Sequence, residues 1–209
     1  MHADFLRLYV ITNSECLRQG SLEEAVEAAV LGGASMIQYR EKERPLAERI
    51  REAEALQKIC KRYQVPFLIN DDVELAERIH ADGVHLGQSD MAIAEARRIL
   101  GGEAIIGATA KTVEQAKAAE AAGADYLGSG AVFGSATKLD AKPMELCLLR
   151  EITEAVKIPV VAIGGINASN VLCLKGCGIA GVAVIGGVLG CDNVMAAAAD
   201  LRQLVQLLD

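Results

Sequence analysis

Residues 112–130 read Thr-Val-Glu-Gln-Ala-Lys-Ala-Ala-Glu-Ala-Ala-Gly-Ala-Asp-Tyr-Leu-Gly-Ser-Gly, and this stretch decides the fold. Its first part is a run of strong helix formers, opened by Thr112 with Gln115 three residues on in a capping-box pattern. Gly123 stands where that helix must stop, because a left-handed terminal residue costs least as glycine. The segment Tyr126–Gly130 is short and bounded by turn residues, which reads as a strand.

Outward from there the same unit recurs. Its turn, Gly123-Ala124-Asp125, returns loosely as Ala81-Asp82-Gly83 and as Gly178-Ile179-Ala180-Gly181. Candidate strands fall at 7–12, 36–40, 66–70, 83–87, 105–110, 126–130, 159–165 and 181–187. Helical segments rich in Ala and Glu separate them, at 21–31, 45–63, 72–79, 90–100, 112–122, 144–156, 167–176 and 193–208. Ser21 with Glu24 supplies a second capping box. Strands that alternate with helices form a parallel sheet with right-handed crossovers, and closure into a ring removes the exposed edges. The expectation is a single-domain (β/α)8 TIM barrel over residues 1–209, near the short end of the roughly 200 to over 400 residues such barrels use.

Composition narrows the function. Trp is absent and aromatics make up 3% of the chain, so recognition by aromatic stacking is not expected. A formal charge of −7 argues against a nucleic-acid partner, whose phosphates need a basic surface, but leaves room for small anions met by a few cations. No run approaches the ~20 apolar residues of a membrane helix. The first nine residues, with His2, Asp4 and Arg7, do not read as a signal peptide. Six scattered cysteines without a CxxC pair suit reduced thiols and a cytoplasmic location. Cys173 and Cys177 lie four apart on an expected helix, but no His or further Cys nearby would complete a metal site.

In such barrels chemistry gathers where strands end. Gln38, Arg40 and Lys42 share one parity beyond the second strand, so a strand continued that far aims all three into one space. Asn70 and Asp71 end the third strand, Asp90 follows the fourth, and Thr109 ends the fifth. Ser135, Ala136, Thr137 and Lys138 lie in a connection of about fifteen residues after the sixth, a length that usually marks a lid or binding loop. The seventh and eighth strands end in Gly164-Gly165 and Gly186-Gly187, whose bare N–H groups suit a phosphate. Asp71 and Asp90 together suit Mg2+, which takes one or two carboxylates beside water and substrate phosphate. Helix capping is the competing role: Asp72 fits it, and for Asp90 cap and ligand are equally supported. His85, within the fourth strand, reads as a hydrogen-bonded barrel residue. No nucleophile paired with a base is visible, which points away from hydrolysis through a covalent intermediate.

Taken in order, Gln38-Tyr39-Arg40-Glu41-Lys42, Asn70-Asp71, His85-Leu86-Gly87-Gln88 with Asp90, Gly107 with Thr109, Thr137-Lys138 and Ile163-Gly164-Gly165-Ile166 resemble the thiamine-phosphate synthase family, from about Leu8 to Val205. The resemblance implies condensation of 4-amino-2-methyl-5-(diphosphooxymethyl)pyrimidine with thiazole phosphate, releasing diphosphate. It implies pyrimidine-diphosphate contacts at Gln38, Tyr39, Arg40, Glu41, Lys42, Asn70, Thr109 and Lys138, with Arg40, Lys42 and Lys138 neutralising the leaving group. It implies Mg2+ at Asp71 and Asp90, and thiazole phosphate at Ser135, Ala136, Thr137, Gly165, Ile185 and Gly186. Three positions depart from the family's habit. Thr109 and Gly186 each stand where it usually has Ser, and Ala136 stands where its loop carries a hydroxyl. The alternatives are a thiazole tautomerase relative, another phosphate-binding barrel enzyme, or a non-catalytic regulator that binds a phosphorylated ligand. The tautomerase type tends to lack the full set of Arg40, Lys42, Asp71, Asp90 and Lys138, and uses a His near the position of Lys111.

Overall fold

The structure is a computed structural model that describes residues 2–134 and 143–208. Eight parallel strands close in sequential order: β1 (Leu8–Ile11), β2 (Met36–Tyr39), β3 (Phe67–Asn70), β4 (Gly83–Leu86), β5 (Ile105–Thr109), β6 (Tyr126–Gly130), β7 (Val160–Ile163) and β8 (Gly181–Val184). The helices around them are α1 (Leu22–Leu31), α2 (Leu46–Arg62), α3 (Val73–Arg78), α4 (Ile93–Leu100), α5 (Val113–Ala121), α6 (Leu146–Ala155), α7 (Gly186–Leu189) and α8 (Val194–Val205). The chain is therefore a (β/α)8 barrel.

Side-chain alternation along each strand divides the core in two. Tyr9, Ile11, Met36, Leu68, Tyr126, Val161 and Ala183 fill the barrel interior. The opposite parity, including Val10, Ile37, Ile69 and Leu127, packs against the apolar stripes of the helices.

Local chemistry explains most boundaries. The Ser21–Glu24 capping box at α1 has both of its bonds. At α5 Thr112 caps Gln115, but Gln115 Oε1 accepts the N–H of Lys111 at 2.8 Å, so the return bond is shifted by one residue. Two elements differ from expectation. Residues 167–176 form only a 3-10 turn at Val171–Leu174, because Asn167, Ser169 and Asn170 bond one another's side chains and backbone. Cys173 is exposed and Cys177 buried, so they do not share a helical face. The second departure is α7, a four-residue turn begun by two glycines.

The loops entering the strands share a two-way latch. Ser35 donates its N–H to the Leu8 carbonyl at 2.8 Å and accepts the Leu8 N–H at Oγ at 2.9 Å. Asp82 does the same to Phe67, at 3.0 and 2.8 Å, and Asp125 to Ile106, at 2.7 Å each way. This is the physical content of the recurring turn seen in the sequence. The corresponding residue before β8, Ala180, offers only its N–H, to the Val160 carbonyl at 2.8 Å. Among the described residues no helix is long and apolar enough to cross a membrane.

Candidate active site

The exits of β1 and β2 are pinned together. Thr12 donates its N–H to the Gln38 carbonyl and accepts the N–H of Arg40 at Oγ1, both at 2.8 Å. Gln38 consequently points into the barrel. Tyr39 and Glu41, of opposite parity, touch the cavity wall, but their polar ends are taken by protein groups. The Tyr39 hydroxyl donates to Glu52 of α2 at 2.8 Å, and Glu41 accepts the N–H and Oγ–H of Ser14 at 3.0 and 2.7 Å. These two expected substrate contacts are thus tied into the helix side of the strand, apart from Gln38. Burial pushes both the Tyr39 phenol and the Glu52 carboxyl up.

Between the exits of β2 and β3 lies a cavity of about 320 Å³ lined by Arg40, Lys42, Asn70 and Asp71, with Arg49 and Asp72 at its side. Lys42 Nζ is 3.1 Å from Asp71 Oδ2. Asp71 has a φ of +62°, a conformation that side chains other than glycine seldom adopt, and its N–H donates to the His85 carbonyl at 2.9 Å. Asp72 caps α3 through the Leu75 N–H and pairs with Arg49, both at 2.9 Å. Asp90 caps no helix: α4 begins after Ala92 without a side-chain cap, while Asp90 Oδ2 accepts the N–H of Gly87 at 2.6 Å. Burial pushes the Asp90 carboxyl up, and the neighbouring Asp71 carboxyl raises it further. Two neighbouring carboxyls, which among the described residues share Lys42 as their cation, form a donor set that a hard divalent cation fits. Among the described residues no group of three or more His, Cys, Asp or Glu gathers to hold a metal, so water and substrate would complete the shell.

Beneath the rim a hydrogen-bonded chain crosses the barrel. Gln38 Nε2 lies 2.5 Å from the Tyr9 hydroxyl, which is 2.8 Å from the Tyr126 hydroxyl. Tyr126 reaches His85 Nδ1 at 2.9 Å, and His85 Nε2 reaches Thr109 Oγ1 at 3.0 Å. Burial holds the His85 imidazole down to about 4. Gln88 donates to the Thr109 carbonyl at 2.5 Å and fixes that strand end.

Opposite the carboxylates stand the glycine turns. Gly165 has a φ of +66°, and a Cβ there would press on the carbonyl oxygens of Phe133 and Gly134 at 2.8 and 2.9 Å. A Cβ on Gly187 would run into the Ile166 carbonyl, so the turns after β7 and β8 abut. A Cβ on Gly186, just beyond Ile185, meets nothing within 4 Å. Ser135, Ala136, Thr137 and Lys138 lie outside the described residues.

The barrel thus gathers Gln38, Arg40, Lys42, Asn70, Asp71, Asp90 and Thr109 around the ends of β2 to β5, and Gly165, Ile185 and Gly186 at the ends of β7 and β8. Thr12, Tyr9 and Tyr126 were not singled out by sequence reasoning. Thr12 ends the first expected strand, and the tyrosines share the inward parity; position was the available signal.

The family described as Thiamine monophosphate synthase matches residues 8–188. The chain is similar to the thiamine-phosphate synthase of Nitrosococcus oceani, 47% identical over 97% of this chain and 94% of that one. The thiamine-phosphate synthase of Fusobacterium nucleatum is 44% identical over 88% and 89% of the two chains. A solved thiamine phosphate pyrophosphorylase from Pyrococcus furiosus superposes with a TM-score of 0.90 at 41% identity, covering 99% of this chain and 98% of that chain.

Proposed function

The chain belongs to the thiamine monophosphate synthase family, a transferase of thiamine biosynthesis that forms thiamine phosphate, and on that premise we propose how its own residues carry the reaction. The alternative readings as a tautomerase relative or a regulator are not favoured. The carrying observation is the convergence of Arg40, Lys42, Asn70, Asp71 and Asp90 on one rim opposite two abutting glycine turns.

The pyrimidine lies over Gln38 and Thr109, with its diphosphate toward Arg40, Lys42, Asn70 and Lys138. The bond from the pyrimidine methylene carbon to the diphosphate oxygen breaks, and the electron pair leaves with diphosphate. The cation left behind is delocalised over the electron-rich aminopyrimidine. The thiazole nitrogen then gives its lone pair to that carbon, and the C–N bond forms without a protein nucleophile. Arg40, Lys42 and Lys138 stabilise charge where it develops on the departing group. Asp71 and Asp90 would hold Mg2+, which supplies hard-cation neutralisation of diphosphate oxygens when bound. The backbone N–H groups at Gly165 and after Ile185, with Ser135 to Thr137, receive the thiazole phosphate. Six free cysteines and the phosphorylated substrates support a cytoplasmic location.

Incubating the protein with both substrates and Mg2+ should yield thiamine phosphate and diphosphate in equal amounts. No product at any Mg2+ concentration would overturn the proposal. Lys138→Ala should slow turnover by roughly 2 to 4 kcal/mol in the barrier while leaving thiazole-phosphate KM near its starting value. Unchanged turnover would remove Lys138 from the site.

A further inference from the structure

Five polar groups lie in a row through an otherwise apolar barrel, and their order constrains each of them. Gln38 Nε2 carries only hydrogens, so it donates and the Tyr9 oxygen accepts. The Tyr9 hydrogen then goes to the Tyr126 oxygen, and the Tyr126 hydrogen to His85 Nδ1. A neutral imidazole has one N–H, which is thereby placed on Nε2 and donated to Thr109 Oγ1. Among the described residues Thr109 Oγ1 has no other partner, so its own hydrogen is left to donate to a ligand. At the other end Gln38 presents its remaining amide oxygen, which makes no hydrogen bond among the described residues.

Space has been cleared for this tier. A Cβ on Gly107 would overlap the Tyr126 ring, and one on Gly128 would stand 3.1 Å from His85 Cε1. Packing alone would not require two tyrosines and a histidine here, since an aliphatic layer fills a barrel with no polar atoms to satisfy.

We propose that Tyr9, Tyr126 and His85 are positioning residues that act through Gln38 and Thr109, coupling the two so that the site always offers the pyrimidine one donor, the Thr109 hydroxyl, and one acceptor, the Gln38 amide oxygen. This rests on the reading that the pyrimidine lies over those two residues. The pair matches a 4-aminopyrimidine, whose ring nitrogen accepts and whose amino group donates. It mismatches the 4-oxo analogue, whose exocyclic oxygen accepts where the amino group donated. A site built to hydrogen-bond its substrate rejects the mismatched analogue because its own buried groups are then left unpaired.

The test is a double-mutant cycle read on each substrate separately. Tyr126→Phe keeps the ring and breaks the chain. It should lower kcat/KM for the pyrimidine diphosphate about tenfold, leave the thiazole-phosphate KM within twofold, and shrink the preference for the 4-amino over the 4-oxo substrate. In a Thr109→Ala background, with no hydroxyl to orient, the same change should cost less than twofold. Tyr9→Phe should behave like Tyr126→Phe, and Thr109→Ser should keep the sensitivity to Tyr126→Phe. Equal losses in both backgrounds, or no loss in the parent, would overturn the inference while leaving the substrate assignment standing. An Nδ1–H tautomer of His85 in nitrogen NMR of the folded protein would overturn the stated polarity. A parent enzyme without thiamine phosphate formation would overturn the functional reading and this inference with it.

Discussion

Lys42 Nζ stands 3.1 Å from Asp71 Oδ2, while the neighbouring Asp90 carboxyl accepts a backbone N–H, that of Gly87, at 2.6 Å. Among the described residues Lys42 is the cation that acts on both carboxylates.

Asp71→Asn and Asp90→Asn should each abolish most Mg2+-dependent turnover and leave the fold intact. Asn keeps the size and an acceptor oxygen, including the one the Gly87 N–H needs, but removes the charge a hard cation requires. Neither residue caps a helix, so no capping energy is at stake. Rates across a Mg2+ titration, with thermal melting beside them, decide the matter. Full activity at ordinary Mg2+ in either variant would end the ligand role of that residue.

Thr12→Val should displace Arg40 without touching it. The substitution removes the oxygen that accepts the Arg40 N–H and leaves that half-buried donor unpaired. We expect a loss of about 1 to 3 kcal/mol in stability, seen in urea unfolding, and at least a tenfold fall in kcat/KM for the pyrimidine diphosphate. Thr12→Ser should restore both. A Val variant with parental kinetics would show that the β1 exit does not position the β2 exit.

Gly186→Ser and Gly187→Ser, one residue apart, should give opposite results. At 186 the added side chain enters open space and can offer a hydroxyl to the thiazole phosphate, tightening its KM by about 0.5 to 1.5 kcal/mol. At 187 it meets the Ile166 carbonyl and should lower both melting temperature and activity. Comparable damage at both positions would show that the turn needs its glycines for another reason.

His85 gives the stability a pH dependence. Its folded pKa is about 4, against an ordinary value of 6.5, because burial disfavours the charged ring. The unfolded chain takes up a proton below about 6.5 and the folded one does not. Stability from this group is therefore complete above that value and lost as pH falls toward 4, on the order of 3 kcal/mol in all. Denaturant unfolding at a series of pH values should show this slope, and His85→Gln should flatten it between pH 6.5 and 4. An unchanged slope would place the titration elsewhere.

The strands were legible because short β-rich runs and glycine turns recur around the ring, and Gly123-Ala124-Asp125 shows why: its Asp latches the strand before it. The segment at 167–176 was not, since three side chains that compete with the backbone outweighed its helical neighbours. Within the site, Arg40, Asn70 and Asp71 were legible from their places at strand ends. The hydrogen bonds of Tyr39 to Glu52 and of Glu41 to Ser14 were not legible, because they join the second strand to a helix and a loop that the sequence does not place beside it. The partnership of Tyr9 with Tyr126 spans 117 positions and has no local signature.

The latches at Ser35, Asp82 and Asp125 join β1 to β2, β3 to β4, and β5 to β6, always an odd strand to the even one after it. The ring is thereby divided into pairs of strands, three of them clasped at the base by a side chain. The last quarter, β7 with β8, has only the backbone half of the clasp, through Ala180. That quarter carries both glycine turns. In amide hydrogen exchange it should open at lower free energy than the three clasped quarters, so the turns proposed to receive the second substrate would sit on the part of the ring freest to breathe.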